Sequence, residues 1–116
     1  MRILIYPFIL IILVYCSCQK TADACMELSF DERQCGSDAF LTAGDPQTKA
    51  MEAEDYLRKN GIEVIAADYD PNFNEIVCQA CDICPTGLRF FIKVGDISED
   101  KLLTLNLLNP ELNPCP

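Results

Sequence analysis

Three cysteines crowd into the stretch CQACDICPTG, at Cys78, Cys81 and Cys84. Three sulfurs cannot all pair among themselves, so in an oxidised chain at least one must reach a distant partner. The distant candidates are Cys25, Cys35 and Cys115, the last of these standing next to the C-terminal residue. Any such bond pins the N-terminal segment or the tail onto the middle of the chain. No other feature restricts the fold as tightly, although the pairing itself stays open.

Whether these sulfurs are staples depends on the compartment, and the first residues speak to that. Arg2 supplies a short basic region, and residues 3–15 are apolar or aromatic apart from Pro7. This run is shorter than the roughly 20 residues needed to span a bilayer. It reads as a signal peptide over residues 1–17. An ordinary secretory peptide would be cut near Ala22 or Ala24. The closing residues YCSC, however, resemble the lipobox of a bacterial lipoprotein signal peptide. In that family the last lipobox cysteine receives fatty acyl chains such as palmitate, and cleavage falls just before it. A small residue normally precedes that cysteine. Ser17 fits and Tyr15 does not, so the resemblance points to Cys18 and not Cys16 as the lipidation site. The leucine usual three places earlier is Tyr15 here. Gln19, where the family's inner-membrane retention signal has Asp, implies the outer membrane of the cell envelope. Two acyl chains hold a protein stably on a membrane. The partner implied by Cys18 is therefore the membrane itself, reached through a tether over residues 18–24.

Removing residues 1–17 from the 116 leaves 99, enough for one small Cys-rich domain over residues 25–116. A chain of that size gains from covalent restraint. Six cysteines then remain, an even number, as in the disulfide frameworks of small exported domains. Loss of Arg2 changes 9 basic and 18 acidic residues to 8 and 18, a side-chain charge of −10. So acidic a surface repels phosphate backbones and argues against nucleic acid as a partner. There is no histidine, the commonest general base near neutral pH. No catalytic constellation stands out, and the expectation is a protein that is not an enzyme and carries no cofactor.

The clearest element is DPQTKAMEAEDYLRKNG. Asp45 is a natural N-cap, Pro46 suits the first helical turn, and Gly61 suits the position just past the end. Glu54–Arg58 and Asp55–Lys59 have i,i+4 spacing, and Ala50, Ala53 and Leu57 form the expected buried stripe. Three strands are expected after it. The first, IEVIAADY, would turn Ile62, Val64 and Ala66 to one face. The second covers residues 75–80. The third, LRFFIKV, would turn Leu88, Phe90, Ile92 and Val94 inward and Arg89 and Lys93 outward. Asp96 and Glu99 have capping-box spacing ahead of a second helix, KLLTLNLL. The tail NPELNPCP is too rich in proline for a helix and is expected to be tied back through Cys115. Residues 25–44 show no sustained period and read as an irregular or short-strand segment. The fold class expected is α+β: a small two-layer sandwich, a three-stranded antiparallel meander covered by two helices and stapled by disulfides.

The triplet resembles the opening of a bacterial ferredoxin cluster motif, but Leu88 stands where the fourth cysteine would be. Zinc would use Cys78, Cys81, Cys84 and one distant cysteine, although structural zinc sites usually have two separated knuckles. A thiol oxidoreductase needs its cysteine at a helix N-terminus; here Pro85, Thr86, Gly87 and a strand follow. Structural disulfides are the expectation. In DYDPNFNE, the side chains of Asp68, Asp70, Asn72 and Asn74 alternate as in calcium loops. Phe73 and Gln79 stand where that template has Gly and Glu, and the same residues make ordinary turns.

VCQACDICPTG followed by an apolar strand and a late leucine-rich stretch is similar to small Cys-rich exported lipoproteins of uncharacterised role. That resemblance covers about residues 48–108 and brings no activity with it. The expected function is a membrane-anchored, non-enzymatic binding or interaction module of the envelope, with an unknown envelope protein or ligand as partner. The alternative is an exported metal-binding or thiol-redox protein using Cys78, Cys81 and Cys84.

Overall fold

The computed structural model describes residues 25–75 and 77–116. The expected signal peptide over residues 1–17, Cys16, the expected lipidation site Cys18 and the expected tether over residues 18–24 lie outside the described residues.

The first helix, α1 (Pro46–Lys59), forms where its signals stand. The carboxylate of Asp45 accepts from the Thr48 N–H at 2.9 Å, satisfying a helix-end donor. At the other end Gly61 takes φ 82°. Its N–H donates to the Arg58 carbonyl, and the Ile62 N–H donates to the Leu57 carbonyl, both at 3.0 Å. This is a Schellman closure, and its usual apolar clasp is present because Leu57 and Ile62 are both buried. Ala50, Ala53 and Leu57 are buried as the stripe requires. The pairs Glu54–Arg58 and Asp55–Lys59 form on the outer surface.

Four strands, not three, build the sheet: β1 (Met26–Arg33), β2 (Val64–Asp70), β3 (Pro85–Val94) and β4 (Leu108–Pro114). Their order is β2-β3-β1-β4 and every neighbouring pair is antiparallel. With α1 between β1 and β2, and α2 (Glu99–Thr104) between β3 and β4, each helical connection skips one strand. The meander expected from short links is thus replaced by a split β-α-β arrangement.

β1 corrects the irregular reading of residues 25–44. Met26, Leu28 and Phe30 alternate with Glu27, Ser29 and Asp31, a period of two that holds for one short strand and dissolves afterwards. It lies in the middle of the sheet, with Leu28 opposite Ile92 and Phe30 opposite Phe90. β4 was hidden by Pro110 and Pro114. Proline is tolerated there because β4 is an edge strand, with one side free of ladder bonds. Residues 75 and 77–80 form no strand; they belong to a loop cross-linked by its own cysteines. In β2 the pairing register shifts between Val64 and Ala66. This bulge turns Ala66 out to solvent and brings Ala67 and Tyr69 against the core instead. The second helix starts at Ser98, whose hydroxyl accepts from the Lys101 N–H at 3.2 Å, and not at Asp96. Ile97 and Leu102, flanking that cap, both join the core, the positions of a hydrophobic staple.

Leu28, Phe30, Leu88, Phe90, Ile92 and Val94 face α1, and Leu105 and Leu107 close the same core. Fully burying each such side chain contributes about 1.5–3 kcal/mol. Phe30 meets Phe90 with ring centroids 5.1 Å apart, and Phe40 stacks on Tyr56 at 4.0 Å. Among the described residues, no helix is long and apolar enough to cross a membrane.

Among the described residues three disulfides are present: Cys25–Cys115, Cys35–Cys81 and Cys78–Cys84. As sulfur arithmetic requires, one member of the triplet, Cys81, reaches outside it. Three such bonds are consistent with folding in an oxidising compartment.

Candidate functional site

The register of the sheet gives the domain two unlike ends. At one, Met26 lies opposite both Val94 and Pro114, and Cys25 is bonded to Cys115. The Cys115 N–H donates to the Cys25 carbonyl at 3.1 Å, extending the ladder to the disulfide itself. At the other end, Arg33, Asp70, Pro85 and Leu108 lead into loops, and the remaining four cysteines gather there.

β1 runs out into a 3-10 turn, Gln34–Gly36, whose middle residue Cys35 has φ 61°. From this turn, two side chains hold the loop over residues 71–84. The Gln34 amide donates to the carbonyls of Cys78 (2.9 Å) and Pro85 (3.1 Å), while its backbone N–H donates to Cys84 (3.0 Å). The Arg33 Nε donates to the Asp82 carbonyl at 2.9 Å. Arg33 Nη1 also reaches Asp38 at 2.8 Å and the Asn106 carbonyl at 2.9 Å, so one guanidinium joins three loops. Beside it lies a cleft of about 490 Å3, lined by Arg33, Asp38, Phe40, Tyr56 and Asn106 among others. Nothing in the sequence pattern marked Arg33 or Asp38, because a charged residue at a strand end is ordinary. Only the fold shows what they join.

The triplet cysteines are brought together, but as disulfide partners. Each sulfur of Cys78, Cys81 and Cys84 is covalently bound to another, which leaves no thiolate for zinc. The acidic turn is likewise occupied by its own backbone. Asp68 accepts from the Tyr69 N–H at 2.8 Å and Asp70 from the Asn72 N–H at 2.9 Å, an Asx turn. Asn74 points away and donates to Asp31 at 2.9 Å. Among the described residues no group of three or more His, Cys, Asp or Glu side chains is placed to hold a metal ion.

Two apolar side chains flank the short Cys78–Cys84 bridge. Val77 is 85% exposed and Ile83 is 72% exposed, while Cys84 between them and β3 is 2% exposed. Their neighbours Glu75 and Asp82 are exposed carboxylates. The bridge sets a pair of apolar side chains outward on a covalently closed loop.

Comparison with known proteins finds no matching family model, no similar curated protein and no similar solved structure.

Proposed function

We propose that this chain is an exported lipoprotein, anchored through Cys18 to the bacterial cell envelope, that presents its domain as a binding module without catalytic activity. The observation that carries the reading is the position of the Cys25–Cys115 bond at one end of the sheet, away from the cysteine-laced loops. A tether over residues 18–24 joins the domain at Cys25, so pulling on the anchor loads a disulfide and a β-ladder, not the loops. The opposite end, with Val77, Ile83 and the cleft beside Arg33, is then the end presented to a partner. The lipobox-like YCSC and Gln19 support lipid attachment and an outer-membrane address. The prevailing acidic charge favours a partner of basic surface, because opposite potentials speed association.

The test is metabolic labelling with a radioactive or clickable fatty acid in a bacterial host. The expected result is label on the wild-type chain and on C16A, with C18A unlabelled and released from membranes. Label retained on C18A refutes the anchor.

A further inference from the structure

The three disulfides stand in three different surroundings. Cys25–Cys115 is half-buried and built into the β1–β4 ladder. Cys78–Cys84 is sheltered on one side by the buried Cys84. Cys35–Cys81 alone has both residues exposed. Thiol–disulfide exchange requires that an attacking thiolate reach a sulfur, so access favours Cys35–Cys81 over the other two bonds.

Cys35 is also conformationally unusual. Among the described residues the non-glycine positions with positive φ are Cys35, Asn106 and Asn109. Asparagine tolerates the left-handed region; cysteine has no such adaptation. Cys35 holds this conformation in the 3-10 turn that the neighbouring Gln34 anchors to the loop. Beside the bond lies an open hollow of about 430 Å3 lined by Gln34, Cys35, Gln79, Ala80 and Cys81. None of these five side chains carries a formal charge; the exposed carboxylate of Asp82, next to Cys81, is the nearby anion in sequence.

Opening the bond does not release the loop. Gln34 still binds the carbonyls of Cys78, Cys84 and Pro85, and Arg33 still binds that of Asp82. The Cys78–Cys84 bridge still closes the loop on itself. The two thiols therefore stay near each other and can close again.

We propose that Cys35–Cys81 is an exchange site, opened by an external dithiol and closed by the disulfide form of such a compound, while the fold persists. One thiolate of the dithiol attacks a sulfur of the pair, forming a mixed disulfide and expelling the other sulfur as a thiolate. The second dithiol sulfur then attacks the mixed disulfide. The dithiol leaves as its own disulfide, and Cys35 and Cys81 leave as two thiols; two electrons and two protons have passed. This site stands independently of the lipid anchor and of the binding role.

The experiment titrates the fully oxidised protein with dithiothreitol at neutral pH under native conditions. Free thiols are trapped with N-ethylmaleimide and mapped by peptide mass, while circular dichroism is followed in parallel. Cys35 and Cys81 should be trapped together at a dithiothreitol concentration about tenfold below that opening either other pair. The dichroism should be unchanged at that point, and replacing the reductant with oxidised glutathione should restore the bond. The C35S/C81S double variant should remain folded and lose this first class of thiols. First trapping at Cys78 and Cys84, or at Cys25 and Cys115, overturns the proposal. So does release of all six thiols in one step with loss of the fold, or a double variant that still releases thiols at the lowest concentration.

Discussion

The guanidinium of Arg89 lies 3.0 Å from the carboxylate of Asp31, each side chain 4% exposed, on the sheet face opposite α1. The pair is adjacent across β1 and β3. Asn74 donates to one oxygen of Asp31 at 2.9 Å, and Asn109 to the other at 3.0 Å. Arg89 donates to the Ser29 hydroxyl at 2.9 Å and lies 5.1 Å from the centre of the Phe73 ring. One buried ion pair thus ties the central strands to the 71–84 loop and to β4.

Removing Arg89 leaves the buried Asp31 charge unpaired, and removing Asp31 leaves Arg89 only the exposed Glu111 at 3.7 Å; such a loss costs about 3–5 kcal/mol. Arg89→Ala and Asp31→Ala should each destabilise the domain by about that much in urea melts. The double replacement Arg89→Met with Asp31→Leu should cost less than the sum of its singles, because neither charge is then stranded. Additive losses would mean that the two groups do not act as a pair.

Acid should weaken the domain through two carboxylates that hold the ends of a loop. Glu52 accepts from the Thr42 hydroxyl at 2.6 Å and from the backbone N–H groups of Thr42 and Ala43 at 2.9 and 2.7 Å. These bonds, that of the Thr42 hydroxyl first, lower its pKa from the ordinary 4.5. The Thr48 N–H, followed by the Thr48 hydroxyl, lowers Asp45 from 3.8. A lowered folded-state pKa means the unfolded chain takes up the proton first as pH falls. The stabilisation is present above the ordinary values and is lost below them, through the lowered ones. Urea midpoints should therefore fall on acidification below about pH 4.5, less steeply in Glu52→Gln and Asp45→Ala than in wild type. Identical slopes would remove both groups from the account.

Helix α1 was legible because every signal was local: a cap at Asp45, a stop at Gly61, apolar residues at helical spacing. β3 was legible because its alternation runs unbroken from Leu88 to Val94. β1 carries an equally regular alternation, but over few residues, and the irregular stretch around Cys35 to Gly44 masks it in any longer window. β4 was obscured by two prolines that only an edge position accommodates, and edge position is a property of the assembled sheet. The burial of Arg89 was equally out of reach. Its outward side was legible, whereas the loop carrying Phe73 and Asn74 that covers it is positioned by disulfides whose pairing spacing alone does not determine.

Calcium should have little effect. Asp68 and Asp70 spend oxygens on the backbone N–H groups of Tyr69 and Asn72, and Asn74 is turned to Asp31. Calcium takes six to eight oxygens, which this turn does not gather without giving up those bonds. Millimolar calcium should leave the melting temperature within about a degree. Ligand at 100-fold excess over Kd would add about 2.7 kcal/mol, and a rise of several degrees would show a site.

The Cys25–Cys115 bond should matter more to stability than the Cys78–Cys84 bond. The first closes a sequence separation of 90 and the second one of 6. On the chain-entropy scale these correspond to about 4–5 and about 2 kcal/mol respectively. Structure sharpens the contrast. Among the described strands β4 is at the edge and pairs with β1, and Pro110 and Pro114 have no N–H to give the ladder. Without the sulfur link, its end is held by the single Cys115 N–H to the Cys25 carbonyl and by Leu112 packing on the core. C25S/C115S should lower the urea midpoint more than C78S/C84S does. Its amide protons in β4 and at the start of β1 should exchange faster while those of Phe90 to Ile92 in β3 stay protected. The reverse ranking would mean that the buried Cys84 contributes more by packing than a 90-residue closure contributes by restraint.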